Sequence, residues 1–330
     1  MTIEIAQFGA GRIGQIHASN IAAAANARLR YVVDVNAEAA KKLAARYGAK
    51  VASEAEVFAD RDVGAVLIAS STDTHARLAI AAARAGKPIF CEKPIDLSLK
   101  KVDECLAEVK KAGVPMFVGF NRRFDPSFAA LKRRLDAGEI GAVEQVVISS
   151  RDPAPPPLAY LKVSGGMFRD MTIHDFDMAR WLLGEEPVEV FAWGEALIDR
   201  KIAAAGDIDS AMLILRTASD RMCHINNSRR AAYGYDQRIE VFGAKGLLRA
   251  ENVGETTLQH FHARGTVGDV PLHFFLERYA AAYRAELASF LDALQNQKPM
   301  PVSANDGRMA LVVAEAAIKS LKSGKAQPIG

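Results

Sequence analysis

A chain of 330 residues, half apolar and a quarter charged, can bury two cores of ordinary domain size. Its 42 lysines and arginines stand against 39 aspartates and glutamates, a formal charge of +3. The bases are scattered, not gathered in blocks, which argues against nucleic acid as a partner. No apolar run approaches the roughly 18 residues of a membrane span. The opening Thr2-Ile3-Glu4-Ile5 reads as a strand and lacks the basic flank and long apolar stretch of a signal peptide, so the cytoplasm is the expected location. Cys91, Cys105 and Cys223 are odd in number and widely spaced. That pattern suits neither a disulfide framework nor a metal motif, and buried core thiols are expected.

Strand-like runs alternate with Ala-rich helical stretches through the first third of the chain. Residues 3–8 lead into a helix beginning near Arg12, 29–33 into a helix over 38–47, 65–69 into 75–85, and 89–91 into 98–112, before a last strand at 116–120. This is the pattern of an α/β Rossmann domain with a doubly wound parallel sheet, expected over residues 1–120. Beyond it come a helix over 127–137, a strand over 143–150, a Pro-rich loop at 153–157 and a helix over 173–183. Strands are then expected at 188–198, 211–216, 222–227, 238–242 and 257–261. Consecutive strands without intervening helices predict a large open, mainly antiparallel sheet. Residues 121–330 are thus expected to form an α+β domain for substrate binding and oligomerisation, with helices covering one face and a second subunit the other. Helices over 274–294 and 306–322 close the chain, the second with Asn305 as a candidate cap, and the segment 306–322 is a candidate to pack back on the first domain.

Gly9-Ala10-Gly11-Arg12-Ile13-Gly14 matches GxGxxG between the first strand and first helix, the context that motif needs. Gly9 permits the tight turn, Gly11 lets a pyrophosphate approach, Gly14 lets helix and strand pack, and helix N–H groups face the phosphates. About twenty residues on, the second strand ends in Asp34, placed to hydrogen-bond a ribose hydroxyl. Val35 after it carries no positive charge, and Asp34 would repel a 2′-phosphate, so NAD is expected over NADP. The third strand runs into Ser70-Ser71-Thr72-Asp73-Thr74-His75 at the ligand side of the sheet, where Ser71, Thr72 and His75 are cofactor candidates; Thr72 or Asp73 as a helix cap and His75 as a structural residue are the alternatives.

Glu92-Lys93-Pro94 places a lysine at the end of another strand. Its ammonium can hydrogen-bond a reacting hydroxyl and stabilise developing alkoxide charge. Asp170 and His174, four apart, are expected on one helical face. A histidine with its ordinary pKa of ~6.5 can take a hydroxyl proton at neutral pH, and the carboxylate can orient it. Each of these features alone has an ordinary structural alternative; their combination on a nucleotide fold points to alcohol oxidation. A metal centre from Asp170, His174 and Asp177, with His260 and His262 as further ligands, is the rival, but nothing completes a ligand set and no metal is expected.

The segments GAGRIG, STDTH, CEKP, GFNRRFDPSF and GGMFRDMTIHDFDMARWLLGEEP, together with Asp34, resemble the glucose-fructose oxidoreductase and inositol dehydrogenase family over most of the chain. SRDP at 150–153 and NSRRAAYGYDQRIEVFG at 227–243 resemble its inositol-oxidising branch in particular. The resemblance implies Lys93, Asp170 and His174 as the catalytic group, His174 accepting the proton. It implies NAD as cofactor, with Gly9, Ala10, Gly11, Arg12, Ile13, Gly14, Asp34, Val35, Ser71, Thr72, His75, Glu92 and Lys93 around it. It further implies a cyclic polyol, myo-inositol oxidised to scyllo-inosose, held by Lys93, Arg123, Asp152, Asp170, His174 and Tyr233, with Arg122 and Tyr235 as alternates to their neighbours. A homotetramer is implied as well. A scyllo-inositol or pyranose dehydrogenase, and a non-catalytic nucleotide-sensing protein, are the competing readings.

Overall fold

The computed structural model describes residues 2–330. It divides into two compact units, the first running to Asn121 and taking in Ala282–Leu311, the second comprising Arg122–Ala281 with Val312–Gly330.

In the first unit the elements are β1 (Ile3–Phe8), α1 (Arg12–Ala23), β2 (Ala27–Val33), α2 (Ala37–Tyr47), β3 (Lys50–Val51), α3 (Glu54–Ala59), β4 (Ala65–Ile68), α4 (Thr72–Arg84), β5 (Ile89–Glu92), α5 (Leu99–Ala112) and β6 (Met116–Gly119). The strands form a parallel sheet in the order β3-β2-β1-β4-β5-β6. Every residue of β4, β5 and β6 is buried, as strands covered on both faces must be. The sheet order reverses beside β1, so the carboxyl ends of β1 and β4 flank the switch point where ligands of such sheets bind. Sequence patterning missed β3 and α3. The strand has only two residues, and the six-residue helix relies on a capping box between Ser53 and Glu56 more than on an apolar stripe.

The chain continues through a 3₁₀ turn at Asn121–Phe124, α6 (Pro126–Asp136), β7 (Val143–Arg151), α7 (Leu158–Ser164), α8 (Met167–Asp170), α9 (Ile173–Leu183), β8 (Pro187–Glu195), α10 (Arg200–Ala204), β9 (Ser210–Thr217), β10 (Met222–Ser228), β11 (Asp236–Gly243), β12 (Gly246–Ala250), β13 (Gln259–His262), β14 (Gly265–Gly268), α11 (Phe275–Arg278), α12 (Ala280–Gln295), α13 (Ala304–Ser323) and β15 (Gln327–Pro328). The second unit is built on a sheet in the order β12-β11-β7-β10-β9-β8-β15, antiparallel throughout except for the β7–β10 pair. Alternation along β9 buries Ala211, Leu213, Leu215 and Thr217 and exposes Met212, Ile214 and Arg216. The buried face packs on α9 and receives the Ser320 hydroxyl of α13 on the Ala192 N–H. The opposite face presents Phe191, Trp193, Met212 and Ile214 to solvent, with Trp193 paired to Met212 and Phe191 to Ile214 across β8 and β9.

Three expectations are corrected. The strand expected at 257–261 lies outside the large sheet: β13 pairs only with β14 in an exposed hairpin, because its side chains find no apolar partner layer. The helix expected over 274–294 breaks at Tyr279, and α13 is capped not by Asn305 but by Ser303, whose hydroxyl accepts from the Asp306 N–H while the Asp306 carboxylate accepts from the Ser303 N–H. The three cysteines are buried and unpaired, as expected, and among the described residues no helix is long and apolar enough to cross a membrane.

Candidate active site

The glycine loop of the first unit is held by contacts that leave no room for side chains. Gly9 has φ +106°, and a Cβ there would stand 2.3 Å from the Ala69 carbonyl oxygen. A Cβ on Gly14 would stand 2.2 Å from the Gly9 carbonyl oxygen. Gln7, buried in β1, donates from Nε2 to the carbonyls of both Gly9 and Gly14 at 2.8 Å, pinning both ends of the loop. Gly11 differs: its Cβ position has nothing within 4 Å. It precedes α1 without a side-chain cap, leaving the first-turn N–H groups of a twelve-residue helix for a ligand. This cradle, open at Gly11 and closed at Gly9 and Gly14, fits a dinucleotide pyrophosphate. Ala10 is buried within the loop, while Arg12 is exposed and Ile13 half-buried at the start of α1.

Asp34 follows β2, and its carboxylate accepts from the N–H groups of Ala10 at 2.6 Å and Asn36 at 2.7 Å. It therefore ties the glycine loop to the end of β2, and Val35 beside it is fully exposed. At the start of α4 Ser71 is the N-cap residue, without a side-chain cap bond, so neither Thr72 nor Asp73 caps that helix. Ser71 is exposed and Thr72 half-buried. His75 is buried, with Nδ1 2.8 Å from the Pro94 carbonyl oxygen and Nε2 3.1 Å from that of Ser70. Those contacts make it a brace between the β4–α4 corner and the Glu92-Lys93-Pro94 turn. Lys93 is half-buried, and its backbone N–H reaches Glu92 Oε2 at 3.3 Å.

In the second unit Asp170 ends α8 and His174 lies in the first turn of α9. The expected single helical face is thus interrupted, although Met171 and Thr172 keep right-handed helical backbone angles. Asp170 Oδ1 accepts from the Tyr160 hydroxyl at 2.8 Å, and its Oδ2 lies 3.5 Å from Arg229 Nη2. Arg229 is almost fully buried and also lies 3.8 Å from Asp207 Oδ2. Sequence reading passed over this arginine; the signal was a charged pair, Arg229-Arg230, at the end of an otherwise half-apolar strand.

Arg122 and Asp175 form a buried pair at 2.5 Å at the heart of a polar network. Asn227 donates to the other Asp175 oxygen at 2.8 Å, Thr172 donates to Asn227 at 2.6 Å, and Arg122 Nη2 reaches Ser150 at 3.2 Å. Burial pushes the Asp175 carboxyl up, while Arg122, Asn227 and Ser150 pull it back. Asp152 stands close by. Its carboxyl is pushed up to about 6, chiefly by burial and then by Asp170 and Asp175, against the downward pull of Arg229 and Arg122.

The candidates Arg123 and Tyr233 are engaged elsewhere. Arg123 holds Asp177 through Nε at 2.7 Å and Nη2 at 2.5 Å. The Tyr233 hydroxyl donates to Asp236 at 2.6 Å and accepts from Arg151 at 2.8 Å. Their neighbours Arg122 and Tyr235 are the residues that share the surroundings of Asp152, for both charges act on the buried Tyr235 phenol. The rival metal set is dispersed: Asp177 is spent on Arg123, and His260 and His262 sit in the exposed hairpin.

The sequence of residues 3–120 matches the oxidoreductase family with an NAD-binding Rossmann fold, and residues 128–249 match the GFO/IDH/MocA C-terminal domain. An inositol 2-dehydrogenase of Rhizobium meliloti is 50% identical over 97% of this chain and 97% of its own length. The crystal structure of a myo-inositol dehydrogenase from Corynebacterium glutamicum is 44% identical and superposes with a TM-score of 0.96 over 100% of this chain and 99% of that one. A myo-inositol dehydrogenase from Lactobacillus casei, solved in complex with NAD(H) and myo-inositol, is 26% identical with a TM-score of 0.90, over 100% and 97% of the two chains. With a built dinucleotide cradle in one unit, a buried acid–base cluster in the other and relatives matched end to end, the chain belongs to the GFO/IDH/MocA family of NAD-binding oxidoreductases.

Proposed function

We propose that this protein is an inositol 2-dehydrogenase that oxidises myo-inositol to scyllo-inosose. The observation that carries the reading is the dinucleotide cradle at Gly9–Gly14, in a chain half identical along its length to an inositol 2-dehydrogenase. When bound, NAD supplies the acceptor for the hydride leaving the alcohol carbon. Gly11 and the first turn of α1 hold the pyrophosphate, and Asp34 sets the preference for a free ribose hydroxyl. Ala10, Arg12, Ile13, Val35, Ser71, Thr72, His75 and Glu92 form or brace the walls of that site.

Lys93 hydrogen-bonds the reacting hydroxyl and stabilises the developing alkoxide. His174 takes the hydroxyl proton, and Asp170, itself steadied by Tyr160 and Arg229, orients the imidazole. Asp152 accepts from substrate hydroxyls. Arg122 and Tyr235 line its surroundings in preference to Arg123 and Tyr233, whose polar ends are committed to Asp177 and Asp236. No metal has a role in this scheme.

We further assign a homotetramer to the protein, with a second copy covering Phe191, Trp193, Met212 and Ile214, and a cytoplasmic location that suits three unpaired cysteines.

NADH formation measured across myo-inositol, scyllo-inositol, glucose, xylose and galactose, with NAD and NADP compared, should show myo-inositol and NAD preferred. Preference for scyllo-inositol or a pyranose would transfer the assignment to that substrate, and no turnover would remove it. In the same assay Lys93→Ala and His174→Ala should each lower kcat by at least ~100-fold while NAD still binds; near-normal turnover would remove the residue from the scheme.

The raised Asp152 carboxyl sets a pH signature. As pH falls through about 6 it takes up a proton and becomes a weaker acceptor, so KM for myo-inositol should rise there. Asp152→Asn should show a high KM at every pH without that rise, and a wild-type KM profile in the variant would contradict the role.

Light scattering should give the mass of four chains, and Met212→Asp with Ile214→Asp should give a smaller folded species. An unchanged mass in that variant would show that the outer sheet face is not the interface.

A further inference from the structure

The first unit contains a cluster of ionisable groups that hydride transfer does not itself use. His17 on α1, Glu92 on β5 and Glu286 on α12 bring atoms within 4.8 Å of one another, and all three residues are buried. His17 and Glu286 are 0% exposed and Glu92 is 8% exposed. The walls are aromatic: the His17 ring meets Phe90 at 5.0 Å and Tyr283 at 5.8 Å, both edge-on. Among the described residues no lysine or arginine pairs with either glutamate, and neither oxygen of Glu286 has a hydrogen-bond partner.

Two carboxylates this close, out of water and without a cation, do not both ionise. The two carboxyls differ in their partners. Glu92 already has partners, with His17 Nε2 2.7 Å from Oε1 and the Lys93 backbone N–H donating to Oε2 at 3.3 Å. Both Glu92 oxygens therefore have a partner. Glu286 has only burial and the charge of Glu92 acting on it, and both push its carboxyl well up. A bound divalent cation could also satisfy such a cluster. However, His17 Nε2 and Glu92 Oε1 touch directly, whereas two ligands each about 2 Å from a common ion are spread further apart.

We propose that Glu286 is a proton-carrying positioning residue: its carboxylic acid donates to Glu92, and the resulting His17–Glu92–Glu286 chain fixes the Glu92-Lys93 peptide from which the reacting amine extends. Glu92 thereby accepts from α1, from α12 and from its own backbone turn, which locks the stem of Lys93 without touching substrate. The inference rests on the assignment of Lys93 to catalysis, and its first test is independent of turnover.

Infrared difference spectra of wild type against Glu286→Gln should show the C=O band of a protonated carboxyl in the wild type at pH 8. Its absence, or a stoichiometric metal ion in the purified protein, overturns the proposal while leaving the dehydrogenase assignment standing. In kinetics, Glu286→Met removes the donor at similar volume and should lower kcat by about 10-fold to 100-fold, with KM for NAD within about twofold. Glu286→Gln, whose amide still donates to Glu92, should restore most of that loss. Normal turnover in Glu286→Met, or a Gln variant as impaired as the Met variant, contradicts the positioning role. Should Glu286→Met fail to fold, the infrared band and the Gln variant decide.

Discussion

The constraint on which the first unit depends is the contact between the start of α1 and the end of β1, where Gly14 meets the Gly9 carbonyl too closely for any side chain. Helix α1 can then point its N-terminus at the carboxyl edge of the sheet, and its unsatisfied N–H groups become an anion site. Gln7 makes this geometry durable by bonding both glycine carbonyls from within the sheet, and Asp34 ties the loop to β2. An ordinary close-packed helix would have spent the same space on side chains and left no path for a pyrophosphate.

The second unit solves a different problem, that of holding charge out of water. Arg122 and Asp175 form a pair whose loss of either partner would cost roughly 3–5 kcal/mol, because the survivor would be buried and unpaired. Asn227, Thr172, Ser150 and Gln237 extend the network around that pair. Asp152 stands beside this network with its carboxyl pushed up to about 6. A group held in that state gains from a ligand that donates hydroxyls to it, which is what a polyol offers.

Much of this was legible in the sequence because the relevant signals are local. GxGxxG and Asp34 occur at a spacing dictated by one strand–helix–strand unit, Lys93 follows directly on an apolar strand, and α9 was predicted to the residue. What was not legible depends on partners distant in the chain. Gln7 reads as one polar residue in an apolar strand until its two carbonyl partners are known, and Arg229 reads as half of a basic pair until Asp170 and Asp207 are found beside it. Likewise, spacing places Arg122 and Arg123 equally well; only the Asp177 fork separates them. The strand expected at 257–261 was misplaced because alternation along a strand says nothing about which sheet, if any, it joins.

In the proposed reaction a hydride leaves the C2 carbon of myo-inositol for the bound nicotinamide. Turnover of myo-inositol deuterated at C2 tests it most directly, with mass analysis of the NADH formed and comparison of rates with the unlabelled compound. Direct transfer should give one deuterium in each NADH and a slower rate for the labelled substrate on kcat/KM. Unlabelled NADH, with the deuterium lost to water or retained in the product, would contradict it.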